Sequence, residues 1–284
     1  MTDTMFHIYR NSPLGRENLL QAIHFCKQMK NLELIIYKPI TPQAVMYHND
    51  ATLATISLDP SYTRDQDTAD ENLARILSQY GQDIVTANYI PEEFTGSDLP
   101  NLPTDFSIMS CPRVISDSSK RIGLGHLGPK VRSLVKKAPF PVFIPCLAFK
   151  PWNRIAAFFG GSEVGLKSVK VALKIANSTQ VPMDIYTQMM DSNRRECEQK
   201  LVASGLMKLI EDQHNEMNWI KLETKSLREN LMQIPYDSLA VVGAAGKNII
   251  RELVFGSKLE TVQTLLPNPM VIVGPHCTRF ISNP

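Results

Sequence analysis

Residues 239–257 read Leu239-Ala-Val-Val-Gly243-Ala-Ala-Gly246-Lys-Asn-Ile-Ile-Arg-Glu-Leu-Val-Phe-Gly256-Ser257. The run Leu239 to Val242 is uninterrupted apolar sequence, the pattern of a strand buried on both faces of a parallel sheet. Two glycines then follow within four residues, and Gly256-Ser257 comes after nine further residues. A glycine turn at the carboxyl end of a parallel strand lets the main chain approach a phosphate closely. Its free N–H groups and those of the next helix then form an anion cradle, to which Ser257 adds a hydroxyl. The same residues also suit a strand-to-helix turn followed by a second tight turn, with no ligand. They are not a Walker P-loop, because Lys247 is followed by Asn248 instead of Ser or Thr.

Working outward, the stretch proves to be one end of a repeat. Gly256 lies 11 positions before Pro267-Asn-Pro269-Met-Val-Ile, and Gly128 lies 11 before Pro139-Phe-Pro141-Val-Phe-Ile, an offset of 128. Asp237 before Ser-Leu-Ala-Val-Val matches Asp105 before Phe-Ser-Ile-Met-Ser, an offset of 132. Arg10-Asn11-Ser12 and Ala22 match Gly160-Gly161-Ser162 and Ala172, an offset of 150. The drifting offset makes the first copy longer, chiefly by an insertion over Thr41–Tyr62 in which no pattern stands out. Two copies are predicted, residues 1–150 and 151–284, joined at Lys150-Pro151-Trp152-Asn153, where Pro151 stiffens the link.

Each copy alternates strand and helix. In the second, Arg154 to Phe159 is a strand, and Val169, Ala172, Leu173 and Ala176 recur at helical spacing. Met183 to Thr187 follows as a strand, then a helix opening near Asp191, then a strand at Trp219–Leu222. Ser226-Leu-Arg-Glu229 is a capping box. The order βαβαβαβαβ with right-handed crossovers gives an α/β fold with a doubly wound, mainly parallel five-stranded sheet in each copy and helices on both faces. The first copy follows loosely; Pro91, Pro100 and Pro103 break the region where the second has its capped helix.

Composition narrows the function. Apolar residues at 43% and charged residues at 20% suit a globular chain, and 30 Lys+Arg against 28 Asp+Glu leave no general nucleic-acid surface. No apolar stretch approaches the roughly 20 residues that span a bilayer, and Met1–Asn11 lacks the apolar core of a signal peptide. Five scattered cysteines with no C-x-x-C pair fit a reducing cytoplasm. The six histidines stand alone, so no metal site is expected. No Ser/His/Asp set or carboxylate pair can be read, so no catalytic residue is assigned.

Taken together, G-x2-G-x9-G-S, the following helix and the Pro-x-Pro strand resemble the nucleotide-binding branch of the universal stress protein family in a tandem form. The strand running into Gly161-Ser162 is similar to that family's Asp-Gly-Ser opening. The resemblance is strong over residues 153–275 and faint over 5–146. It implies a flavodoxin-like fold in each copy and a regulator that binds ATP or another adenine nucleotide, with Mg2+ admitted as its companion ion. It would place Gly243, Gly246, Gly256 and Ser257 around ribose and phosphates and Val242 near the base. It further implies a regulatory protein partner of unspecified identity, a role in stress response, and pairing of the last strands of the two copies as an internal pseudo-dimer, with a homo-oligomer also open. One departure stands out: the family's usual aspartate at the end of the first strand is Gly160 here and Arg10 in the first copy. The first copy also has Cys111, Val114 and Pro129 where the second has Gly243, Gly246 and Ser257, and is read as a structural partner. The competing readings are a ligand-free interaction scaffold, and a slow ATPase or autophosphorylating protein with Ser257 as acceptor.

Overall fold

The repeat governs the fold residue for residue at its start. Helix α1 (Pro13–Met29) and helix α4 (Glu163–Thr179) are both 17 residues long and lie 150 positions apart. Each is opened by a serine whose Oγ accepts a hydrogen bond 3.0 Å long from the N–H three residues on, Ser12 from Gly15 and Ser162 from Gly165. Each is closed by a residue with positive φ, Lys30 at 60° and Gln180 at 59°. The structure is a computed structural model that describes residues 2–57, 66–113, 127–188, 194–205, 208, 217–223, 226–244 and 266–281.

In the first half the strands are β1 (Asp3–Ile8), β2 (Leu32–Tyr37), β3 (Gln43–His48), β4 (Ala51–Ser57), β5 (Thr86–Tyr89), β6 (Asn101–Leu102), β7 (Ile108–Ser110) and β8 (Val142–Ile144). Helices α2 (Gln66–Tyr80) and α3 (Pro129–Lys137) complete it. The second half has β9 (Arg154–Phe158), β10 (Met183–Gln188), β11 (Met217–Leu222), β12 (Ser238–Gly243) and β13 (Met270–Val273), with α5 (Arg194–Ala203) and α6 (Leu227–Met232). The capping box is present, Ser226 Oγ accepting from Glu229 N at 3.4 Å. The helix start expected near Asp191 lies outside the described residues.

Ten strands form one sheet in the order β11-β10-β9-β12-β13-β8-β7-β1-β2-β5. Each half contributes five parallel strands with its first strand in the middle, and the two halves run through the list in opposite directions. They join where β13 pairs antiparallel with β8, Met270 opposite Ile144 and Ile272 opposite Val142. The two last-strand edges, which would otherwise be open, thus cover each other within one chain. Alternate residues of each strand feed different cores. Val241, Ala157 and Val271 pack on the α1 and α4 side, while Val242, Phe158 and Ile272 pack on the α3 and α6 side. Both cores run across the joint.

Further contacts hold the halves together. Lys174 of α4 reaches Asp3 of β1 at 2.6 Å and lies over the ring of Phe280. After β13 the chain crosses to the first half, where Thr278 N and Arg279 N both donate to Pro139 O and Arg279 Nη1 donates to the Thr104 and Phe106 carbonyls. A Cβ on Gly274 would overlap the carbonyl oxygen of Val135, so only glycine lets this crossing pass α3.

The Thr41–Tyr62 insertion, in which the sequence shows no pattern, holds an antiparallel hairpin. Asn49 and Asp50 both have positive φ, 49° and 60°, and form a two-residue turn between β3 and β4. With β6 these strands make a second, three-stranded sheet that buries Met46, Leu53 and Ile56 in the core on the α3 side. Lys130 Nζ at the start of α3 donates to Ser57 Oγ at 2.7 Å.

Candidate functional site

In the second half, β9 leads through α4 outward to β10, and β12 leads to β13 on the other side. Strand order therefore reverses between β9 and β12, and the crevice outside their carboxyl ends is where open α/β sheets hold ligands. Phe159, Gly160, Gly161 and Ser162 reach it from β9, and Val242, Gly243 and Ala244 from β12. Gly161 has φ 76°, the left-handed turn that lets β9 enter α4 directly. Glu163 is exposed in the first turn of α4.

Val242 and Gly243 lie at the carboxyl end of β12, at this crevice. Val242 is fully buried among the core residues of the α3 side, so what it can offer a ligand is its backbone. Gly243 is glycine for a reason of packing: a Cβ there would lie 3.0 Å from the carbonyl oxygen of Val164. The first turn of α4 closes directly over the end of β12, and Ala244 N is tied to Val273 O at 2.8 Å. Gly246, Gly256 and Ser257, with Lys247 and Lys258, lie outside the described residues. Gly160 stands at the end of β9 with no side chain, so the crevice has no carboxylate from that strand.

The matching crevice of the first half lies between β1 and β7. His7 and Ser110 face each other across the two strands, Nδ1 to Oγ 3.1 Å. Burial, and then Arg10, lowers the His7 pKa to about 3, so the imidazole is neutral at pH 7. Burial raises the Cys111 thiol to about 12 although Arg10 opposes it, which makes this thiol inert. Arg10 is almost buried at the end of β1. Gly15, matching Gly165, is needed because a Cβ would overlap the Arg10 carbonyl. Pro129 is the first residue of α3 and brings no N–H to its N-terminus. Val114 lies outside the described residues.

The Ser-x-x-Gly pair that shapes both crevices, Ser12 with Gly15 and Ser162 with Gly165, went unread in the sequence. Its signal was the 150-residue offset, which already matched the two serines. A separate open cleft of about 710 Å³ lies between the hairpin and β5, lined in part by Tyr47, Tyr89, Glu92, Glu93 and Asp105. Its carboxylates would repel phosphate.

No protein-family model and no curated protein matches the chain by sequence. Solved structures do match it. A universal stress protein from Archaeoglobus fulgidus DSM 4304 superposes with a TM-score of 0.61 at 13% identity, over 96% of this chain and 99% of its own. This chain has the universal stress protein fold. A Pseudomonas aeruginosa UCBPP-PA14 protein provisionally assigned to the same family matches at a TM-score of 0.54 and 12% identity, over 97% of this chain and 94% of its own. The universal stress protein fold also matches the cytoplasmic domain of a prokaryotic cation chloride cotransporter, at a TM-score of 0.51 and 11% identity over 96% of this chain and 95% of that one. A fold shared by a stress protein and a transporter domain leaves function to the site. Among the described residues, no helix is long and apolar enough to cross a membrane.

Proposed function

We propose that the chain is a nucleotide-responsive regulator with two domains, residues 1–150 and 151–284, and that it binds one adenine nucleotide in the second. The observation that carries this is the position of the glycine stretch: it starts at Gly243, at the carboxyl end of the fully buried strand β12, beside the reversal of strand order. Val242 and Gly243 would lie against the nucleoside through their backbone, and Gly246, Gly256 and Ser257 would hold ribose and phosphates. Lys247 and Lys258, which flank these glycines, would neutralise phosphate charge. The donor set fits a phosphate chain, being N–H groups, a hydroxyl and ammonium groups. For Mg2+ it offers less, since Glu163 is exposed at the start of α4, so the ion would ride on the phosphates. Bound nucleotide would order the surface around residues 243–257 for a protein partner, acting by its preference for one state. The cytoplasm fits the scattered cysteines, of which the four described are free thiols.

A second reading, a ligand-free scaffold, draws on the close approach of Val164 to Gly243, which gives the first glycine of the motif a purely structural reason. Calorimetry with ATP separates the two. The expected result is one site per chain, lost in Gly246→Val with the circular dichroism spectrum unchanged. Two equivalent sites per chain would sink the asymmetric assignment, and no binding at millimolar ATP would favour the scaffold.

A further inference from the structure

The cleft beside β5 belongs to the part of the first half that has no counterpart in the second. Strands β3 and β6 of the small sheet contribute to its wall, whereas every described strand of the second half lies in the main sheet. It sits at the last strand of that sheet, two places from β1, and so apart from the crevice between β1 and β7. Tyr47 and Tyr89 and the carboxylates Glu92, Glu93 and Asp105 line its space of about 710 Å³. Ile90, on the same wall, is 76% exposed, an aliphatic side chain left in water beside the acids.

The acidic and aromatic walls are tied together. Tyr89 Oη donates to the Asn101 carbonyl at 3.2 Å, and Asn101 Nδ2 donates to Glu93 Oε2 at 3.0 Å. Burial, then Glu93, Glu92 and Asp105, raises the Tyr89 pKa, so all three carboxylates bear on one hydroxyl inside the cleft. Arg279 comes within a residue of Asp105, but its Nη1 donates to the Thr104 and Phe106 carbonyls and it does not line the cleft. A second, independent feature stands beside Tyr89. Tyr37 is its partner in the β2–β5 register, fully buried, with the two rings edge to face at 6.0 Å. Tyr89 acts electrostatically on the Tyr37 hydroxyl, which sets that group next to the cleft wall. The hydroxyl is buried and makes no hydrogen bond, although the Ile40 N–H lies near it. A buried hydroxyl in that state marks a place for a further polar group.

The three carboxylates are too spread to share one metal ion: no group of three His, Cys, Asp or Glu side chains among the described residues is placed to hold one. Spread negative charge beside rings and an exposed aliphatic chain suits positive charges that are themselves spaced by methylenes. We propose that this cleft binds an aliphatic polyammonium chain, its ammonium groups held by Glu92, Glu93 and Asp105 and its methylenes laid against Tyr47, Tyr89 and Ile90. Ammonium N–H groups make charge-assisted hydrogen bonds to carboxylates, and the face of a tyrosine ring attracts a cation. The same chemistry is supplied by a free polyamine or by lysine side chains of a partner protein. The site does not depend on the nucleotide reading, since it lies in the other half and takes a ligand of opposite charge.

The test is calorimetric titration of the full chain at constant ionic strength with spermidine, and separately with an acetylated tri-lysine amide. Binding should saturate at one site per chain and weaken as salt is raised. Glu92→Gln/Asp105→Asn changes two exposed side chains without changing their shape, so the melting temperature should hold while affinity falls roughly fivefold, as for the loss of two exposed ion pairs. Tyr47→Leu leaves the charge alone and should cost about twofold to fivefold through the lost ring. Asp67→Asn/Glu71→Gln makes the same charge change on the exposed face of α2 and should bind as the wild type does. Mg2+ at matched ionic strength should not displace the spermidine. Tighter binding of spermidine assigns the site to a free polyamine, and tighter binding of the peptide assigns it to a partner's lysines. The proposal is overturned if neither probe binds at millimolar concentration, or if Mg2+ displaces spermidine as readily as a plain acidic surface allows. It is equally overturned if the α2 variant weakens binding as much as Glu92→Gln/Asp105→Asn, or if either that variant or Tyr47→Leu keeps the wild-type affinity.

Discussion

Replacing Asn268 by leucine tests how the second half positions the strand that leads into its crevice. Asn268 is fully buried in the Pro267-Asn268-Pro269 turn before β13. Its Nδ2 donates to the carbonyls of Ser238 at 2.8 Å, Pro235 at 2.9 Å and Tyr236 at 3.3 Å. One amide group thus fixes the start of β12 against the start of β13. An NH2 has two hydrogens, so two good bonds are at stake, each worth about 1 kcal/mol net. Orphaning the Ser238 carbonyl adds to the loss, whereas removing the Asn268 Oδ1, buried with no acceptor role filled, offsets part of it. The expected cost is about 2 kcal/mol. The variant should still fold, because the matching position in the first half is Phe140, equally buried. Asn268→Asp has the same shape but aims a carboxylate at three carbonyls, and should cost about 3–5 kcal/mol, the range for an uncompensated buried charge. Urea unfolding followed by circular dichroism reads both. Asn268→Leu within about 0.5 kcal/mol of the wild type, the spread of an ordinary surface change, would refute the claim that this amide holds the two strands.

Other expectations are as direct. Gly274→Ala should destabilise by roughly 3 kcal/mol or more, since the new methyl meets the Val135 main chain; Gly96→Ala, where a Cβ meets nothing within 4 Å, should be neutral or slightly stabilising in the same urea assay. His7 has a folded pKa lowered from 6.5 to about 3, so the unfolded chain binds the extra proton first as pH falls. Its contribution is intact above pH 6.5 and is lost down to about pH 3, at about 1.4 kcal/mol per pH unit, and His7→Gln should flatten that part of the stability profile. Cys26, Cys111, Cys146 and Cys277 are buried with pKa values raised chiefly by desolvation, so a thiol reagent at pH 8 should reach these four only after urea is added. Steady-state phosphate release from ATP should stay well below about 1 s⁻¹, the low end of ordinary enzymes; faster turnover, abolished by Gly246→Val, would show that a catalytic group has been missed.

The sequence by itself determined the repeat and, outside the Thr41–Tyr62 insertion, most of the strand and helix order; the joining of the last strands came from the family resemblance. The repeat and the order depend on local period: alternate or continuous apolar residues in strands, 3.6-residue spacing in α1 and α4, and Pro-x-Pro before β8 and β13. It also determined that any glycine cradle belongs to the second half, because position 111 is Cys where position 243 is Gly. The hairpin at β3 and β4 was legible in principle from Asn49-Asp50, but its buried residues Met46, Leu53 and Ile56 alternate imperfectly, owing in part to a register shift at Met46/Tyr47. Only the tertiary structure decided what the crevices contain. Nothing local says that Gly243 is pressed against Val164, that Gly15 yields to the Arg10 carbonyl, or that Nε and Nη1 of Arg113 are buried without a hydrogen-bond partner. Those facts arise where chain segments far apart in sequence converge. A residue's type fixes its chemistry, but the company it keeps is fixed by how strands 100 residues apart pair, as β1 pairs with β7.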